Sequence, residues 1–153
     1  MIEEVISLLK EMQITLGACE SLTGGLFAST LCSYSGVSKF FKGSIVSYSS
    51  LVKRDLVQID QGLIDEYGVV SSQIAEKMAQ NASKLLNVDM CISFTGNAGP
   101  TAMEGKKVGL VYIGIYFKGK VSTYEYEFEG DRNSIRNQVV DEGFKIIKNI
   151  LGN

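Results

Sequence analysis

The chain has 153 residues, the usual size of one domain and enough to bury roughly two thirds of its unfolded surface, so residues 1–153 are expected to form a single domain. Its fifteen basic and seventeen acidic residues are scattered, for a net charge of −2, and no run of lysines or arginines is present to neutralise a nucleic-acid backbone. The absence of histidine excludes Ser-His-Asp and Cys-His catalysis and the usual zinc sites, leaving acid–base chemistry to Lys, Tyr, Asp or Glu.

Apolar residues at 2, 5, 6, 8, 9 and 12 give Ile2–Met12 a helical spacing, opposite a charged face of Glu3, Glu4, Lys10 and Glu11. The same opening residues place acid where a secretory signal carries base, and no apolar stretch anywhere reaches the ~18 residues of a membrane span. The cytoplasm is therefore the expected compartment, with no membrane partner. Ile14–Ala18 reads as a short buried strand, Glu20-Ser21-Leu22-Thr23-Gly24-Gly25 as a tight loop, and the run from Leu26 as a helix packed closely on a sheet. Phe40–Ser47 reads as a second strand. Beyond it Ser49 or Ser50 can cap a helix through Leu51, Leu56 and Val57.

A shorter helix around Leu63–Tyr67 stops at Gly68, and Ser71 or Ser72 caps a long helix with Ile74, Met78, Ala82, Leu85 and Leu86 on its buried stripe. Val88–Phe94 is apolar throughout, as a central strand covered on both faces should be. From Thr95 a glycine-containing loop runs to about Lys106 and has the length of a binding loop. Val108–Phe117 and Val121–Phe128 form a hairpin around Lys118-Gly119-Lys120, its second strand alternating so that one face is wet. A last helix follows Glu129-Gly130-Asp131-Arg132, with Ile135, Val139, Ile146, Ile147 and Ile150 on its apolar side. Cys19, Cys32 and Cys91, with no C-x-x-C pair, read as buried free thiols that cannot form a Cys₄ cage.

Helices alternating with strands imply right-handed parallel crossovers, and the hairpin adds an antiparallel strand. The predicted fold is a three-layer α/β/α sandwich with a mixed, mostly parallel sheet. Ligands in such sheets gather at the carboxyl ends of the strands, where Ser21, Tyr48 with Lys53, and Thr95-Gly96 can meet.

Four residues there admit both a chemical and a structural role. Ser21 stands where free helix-terminal amides can hold an oxyanion, or it simply caps the helix. Lys53 either serves as the base that a serine nucleophile needs without histidine, or is a solvated surface lysine. As a base, it would be disfavoured as a cation by the first helical turn and by Arg54. Tyr48 could relay a proton between Ser21 and Lys53, hold the substrate, or serve packing. Arg132 could clamp a phosphate or pair with a surface carboxylate.

Taken together, these segments carry more information than any one of them. Glu20-Ser21-Leu22-Thr23-Gly24-Gly25, Tyr48-Ser49 with Lys53 five residues past the tyrosine, Gly68-Val69-Val70-Ser71, Thr95-Gly96-x-Ala98-Gly99-Pro100, Val108-Gly109 and Gly130-Asp131-Arg132 closely resemble the CinA C-terminal domain family, the nicotinamide-nucleotide amidases. The resemblance covers nearly the whole chain. It implies hydrolysis of the carboxamide of nicotinamide mononucleotide to nicotinic acid mononucleotide and ammonia, without metal or other cofactor. It makes Ser21 the nucleophile, Lys53 the base and Tyr48 its partner, with Glu20, Thr23, Gly24, Thr95, Gly96 and Arg132 at the substrate. An oxyanion would rest on backbone amides near Thr23 and Gly24.

The chain departs from the family pattern where Pro100 is followed by Thr101-Ala102-Met103-Glu104 and where Asn97 replaces an aliphatic residue. A different class of function, a nucleotide-binding or regulatory module without turnover, would retain the fold and phosphate contacts. The joint presence of Ser21, Tyr48 and Lys53 favours the enzyme, since a binding module needs no nucleophile with a base. A symmetric homo-oligomer is the expected assembly.

Overall fold

Residues 1–152 are described by the computed structural model; Asn153, the last residue of the expected domain, lies outside them. In chain order the elements are α1 (Ile2–Glu11), β1 (Leu16–Glu20), α2 (Leu26–Cys32), β2 (Phe41–Val46), α3 (Ser50–Asp55), α4 (Gln61–Tyr67), α5 (Ser72–Leu86), β3 (Met90–Gly96), β4 (Leu110–Phe117), β5 (Lys120–Glu127) and α6 (Arg132–Gly152). The sheet order is β2-β1-β3-β4-β5. β1 runs parallel to β2 and β3, β4 is antiparallel to β3, and β5 is antiparallel to β4, so β4 alone opposes the common direction.

The period-two alternation of strand side chains separates two cores. Leu16, Ala18, Met90, Ile92 and Phe94 face α1, α2 and α6. Cys19 and Cys91 face the layer of α4 and α5, with Ile64, Ile74, Met78 and Ala82. The architecture is thus the predicted three-layer sandwich with a mixed sheet. Phe27 anchors α2 on the first side, stacked on Phe144 at 4.8 Å and tilted against Phe94 at 5.3 Å. Each such aromatic pair contributes about 0.5–1.5 kcal/mol beyond its buried area.

β1 and β3 begin two residues later than their apolar runs predict. Ile14 and Val88 are buried, but the next positions are tied by side chains: the Thr15 hydroxyl donates to Asp89 Oδ2 at 3.0 Å and accepts from the Asp89 amide at 2.9 Å. Both strands consequently run on to Glu20 and Gly96. Ser71 caps α5, accepting from the Ile74 amide at 3.2 Å. At the other end of α5, Leu85 is exposed while Leu86 covers Gly17 and Gly43, so the predicted stripe is one residue too long. The hairpin turn is the two residues Lys118 and Gly119, both at positive φ, with Lys120 already paired in β5. β5 exposes Thr123, Glu125 and Glu127 and half-buries Tyr124 and Tyr126, the one wet face its alternation predicts. Cys32 is exposed at the end of α2, unlike the buried Cys19 and Cys91. Among the described residues no helix is long and apolar enough to cross a membrane.

Candidate active site

The carboxyl ends of β1, β2 and β3 lie side by side, and the chain leaves each of them with a polar residue. Ser21 extends the β1 ladder by one bond, its amide donating to Phe94 O at 3.0 Å. The Gly24 amide then donates to Ser21 O at 3.0 Å, closing a turn, and α2 begins at Leu26. Gly24 and Gly25 have φ of 55° and 98°. They supply the left-handed backbone of the tight loop, and an added Cβ at either would find only ordinary contacts.

Strand alternation sends Glu20 to the α2 side and Ser21 to the side of Cys19. Glu20 is fully buried, and its carboxylate accepts from the amides of Phe27 at 2.9 Å and Ala28 at 3.3 Å and from the Ser44 hydroxyl at 2.7 Å. It caps α2 from beneath the site rather than facing a substrate. This also decides between the two roles open to Ser21: Glu20 satisfies the helix amides, and the Ser21 hydroxyl turns to Lys53.

α3 is oriented by Ser49, whose hydroxyl accepts from the Val52 amide at 3.2 Å. The predicted helix ends short of Val57, which is fully buried just beyond it. Leu51 and Leu56 are exposed, and the side chain that α3 buries is Lys53, 1% exposed. Lys53 Nζ donates to Ser21 Oγ at 2.8 Å and to Ser47 O at 2.6 Å. Burial pushes the lysine down from its ordinary range to about 8. The cause is removal from water rather than the adjacent guanidinium, because Arg54 is at the surface, paired with Asp55 at 2.7 Å. Cys19 on the same side is itself pushed up to about 11 by burial, so it is uncharged while Lys53 titrates. Glu104 is then the charge that favours the ammonium form.

Tyr48 is 60% exposed, and its hydroxyl accepts from Arg132 Nη2 at 2.9 Å, while Arg132 Nη1 donates to Gly99 O at 2.6 Å. Tyr48 is therefore no relay between Ser21 and Lys53, which touch directly; it joins Arg132 at the rim. The Thr95 hydroxyl is committed to Val69 O at 2.7 Å, and Gly96 lies in the cleft wall. The cleft holds about 190 Å³ among Ser21, Leu22, Tyr48, Asn97, Gly99 and Arg132. A larger hollow of about 410 Å³ at the opposite end of the strands, by Lys10 and Lys39, has no nucleophile beside a base.

The far wall of the cleft is the segment from Asn97 to Gly109, held by side chains that sequence reasoning missed. Asn97 Nδ2 donates to Met103 O at 3.4 Å and Lys107 O at 3.3 Å, and its Oδ1 accepts from the Met103 amide at 3.2 Å. The Glu104 carboxylate accepts from the amides of Val69 at 2.9 Å and Val70 at 3.1 Å. Burial raises its pKa, but these amides and Lys106 outweigh that and hold it below the usual carboxylate range. Gly68 admits the carboxylate, since an added Cβ would fall 2.5 Å from Glu104 Oε1. Lys106 Nζ donates to Tyr67 O at 3.0 Å and to Val70 O. The one sequence signal for this wall was its departure from the family pattern at Asn97 and Glu104.

Comparison with known proteins places this arrangement. Residues 1–151 match the CinA C-terminal domain. The chain belongs to the CinA C-terminal domain family. It is 42% identical over 150 residues to a competence-damage inducible protein of Listeria welshimeri, covering 97% of this chain and 36% of the relative. It is 43% identical over 155 residues to a CinA-like protein of Dictyoglomus turgidum, covering 99% and 37%. The chain thus spans little more than a third of the length of these curated relatives. The crystal structure of competence damage-inducible protein A from Klebsiella pneumoniae superposes with a TM-score of 0.97 at 26% identity, covering 99% of this chain and 95% of that one. In this CinA domain, then, Ser21, Tyr48, Gly96, Gly99 and Arg132 line one cleft, while Glu20, Ser49, Ser71 and the Thr95 hydroxyl serve the fold behind it.

Proposed function

We propose that this CinA domain is a metal-independent amidohydrolase that converts nicotinamide mononucleotide to nicotinic acid mononucleotide and ammonia. The observation that carries the reading is the buried contact of 2.8 Å between Lys53 Nζ and Ser21 Oγ, with the lysine poised near neutrality. Beyond the bond to Ser47 O that ties α3 to the end of β2, the buried amine meets the Ser21 hydroxyl, and a nucleophilic serine requires a neighbouring base.

When Lys53 is neutral, the hydrogen bond reverses and Ser21 donates to its lone pair. Ser21 Oγ attacks the carboxamide carbon as its proton passes to Lys53 Nζ, and the carbonyl oxygen becomes an oxyanion. Collapse of this adduct breaks the C–N bond, Lys53 returns the proton to the leaving nitrogen, and ammonia departs from an acyl-enzyme on Ser21. Water then adds with Lys53 again taking its proton, the acyl C–O bond to Ser21 Oγ breaks as Lys53 returns that proton to Oγ, and the carboxylic acid is released. The Gly24 amide is already spent on Ser21 O, so of the two amides expected to hold the oxyanion only that of Thr23 is free for it. The cleft is smaller than the ~300–1,000 Å³ of pockets that enclose a drug-sized ligand, so the pyridine ring enters and the ribose phosphate stays at the mouth, near Arg132.

We place the enzyme in the cytoplasm, acting as a homo-oligomer of single domains. Ammonia release from nicotinamide mononucleotide by the purified chain, lost in Ser21→Ala, is the expected result. Binding of the nucleotide without ammonia release would overturn the amidase and leave a nucleotide-binding module.

A further inference from the structure

Arg136 lies one turn into α6, more than a hundred residues from the nucleophile loop, yet its guanidinium reaches two successive peptides of that loop. Nε donates to Leu22 O at 3.0 Å and Nη2 to Thr23 O at 2.7 Å. Among the described residues no carboxylate pairs with it, so its charge is directed at these carbonyls alone. The C=O and N–H of a trans peptide point in opposite directions, so fixing Leu22 O fixes the Thr23 N–H on the face turned away from Arg136. Fixing Thr23 O likewise sets the Gly24 N–H, which closes the turn on Ser21 O. Among the described residues neither the Leu22 nor the Thr23 amide has an acceptor, and the buried Thr23 hydroxyl has no partner either. Buried donors in folded proteins are nearly always satisfied, so a group of unspent donors beside a nucleophile calls for an acceptor that arrives later.

We infer that Arg136 is a positioning residue that sets and polarises the oxyanion hole: its guanidinium holds the Leu22 and Thr23 carbonyls so that the Thr23 amide faces the oxygen of the substrate carbonyl. This rests on the acyl-transfer reading of Ser21. A cation on the carbonyl draws charge through the peptide and makes its N–H a stronger donor, and the hydrogen bonds are in place before the oxyanion forms. An arginine does this better than a lysine because its planar fork spans two carbonyls in fixed geometry.

The test uses phenylboronic acid, which adds to a serine hydroxyl as a tetrahedral anion and so mimics the charged intermediate without turning over. Binding by the wild type and its loss in Ser21→Ala locate the adduct. Arg136→Ala should weaken the boronate and lower kcat in parallel, by about tenfold to a hundredfold, with KM for nicotinamide mononucleotide held within about threefold. Arg136→Lys should fall between, and guanidinium ion at concentrations harmless to the wild type should restore part of the loss in Arg136→Ala. Boronate affinity unchanged within about twofold in both variants, with only the melting temperature lowered, would overturn the inference and make Arg136 a structural staple. Absence of a wild-type adduct would overturn it as well. A boronate adduct that weakens in Arg136→Ala, in an enzyme that releases no ammonia from the mononucleotide, would support this inference while removing the amidase reading.

Discussion

The two walls of the cleft are built by opposite means. The wall of residues 20–25 continues a central strand, shares its ladder with β3, and is closed by backbone bonds and a buried carboxylate, with Arg136 added on carbonyls that the core already holds. The wall of residues 97–109 has no ladder of its own for most of its length and is held by the side chains of Asn97, Glu104 and Lys106. The first wall is rigid because the core fixes it, and it carries the reacting hydroxyl. The second is fixed by polar straps that one substitution can release, and it shapes what enters. Chemistry is therefore expected to reside on the first wall and substrate fit on the second.

Substitutions on the two walls should separate accordingly. The largest effect belongs to Ser21→Ala, which should lower kcat/KM by about 10⁴-fold or more while nucleotide affinity and melting temperature stay close to wild type. Measurable turnover within about tenfold of wild type would dismiss Ser21 as nucleophile. Next, Lys53→Arg and Lys53→Ala should each cost about 10³-fold or more, since a guanidinium cannot accept a proton at working pH. Substantial activity in the arginine variant would instead make Lys53 an electrostatic anchor.

Glu20→Gln should act on stability. An amide in that pocket turns a donor toward one of three donors, at a cost of about 1.5–3 kcal/mol in the free energy of unfolding by denaturant. Raised KM with unchanged stability would return Glu20 to the substrate. The mildest change is expected from Glu104→Gln, which loosens the second wall: KM should rise about threefold to tenfold with kcat nearly retained. Loss of the carboxylate also removes a charge that favours the Lys53 ammonium, so the acid limb of kcat/KM should move to lower pH. An unmoved limb would show that the two walls are electrically independent.

The same contrast explains what the sequence made legible. Elements whose apolar spacing is local, such as α1, α5 and the β4–β5 hairpin, were predicted with ends shifted by a residue or two. The shifts at Ile14 and Val88 arise because burial begins before the ladder does, with Thr15 and Asp89 bonding through side chains there. Ser21 and Lys53 were legible as a motif, but the burial of Lys53 was not, because α3 turns Lys53 inward and leaves Arg54, Leu51 and Leu56 outside. The family resemblance put Glu20 at the substrate, whereas that residue ends β1 and its carboxylate faces α2, a direction that a motif match does not carry. The straps of Glu104 to the amides of Val69 and Val70 span 34 or more residues and leave no periodicity to read.

The central claim is that burial alone makes Lys53 a base for Ser21 near neutral pH. It is tested most directly by following the side-chain ¹³Cε resonances of isotopically labelled lysines against pH, with Lys53→Met to identify the signal. Burial lowers Lys53 to about 8 against ~10.4 for a free lysine, so one resonance should titrate about two units below the free amine and vanish in Lys53→Met. If every lysine resonance, that of Lys53 included, titrates above about pH 10, the amine is a permanent cation and the Ser-Lys mechanism is contradicted.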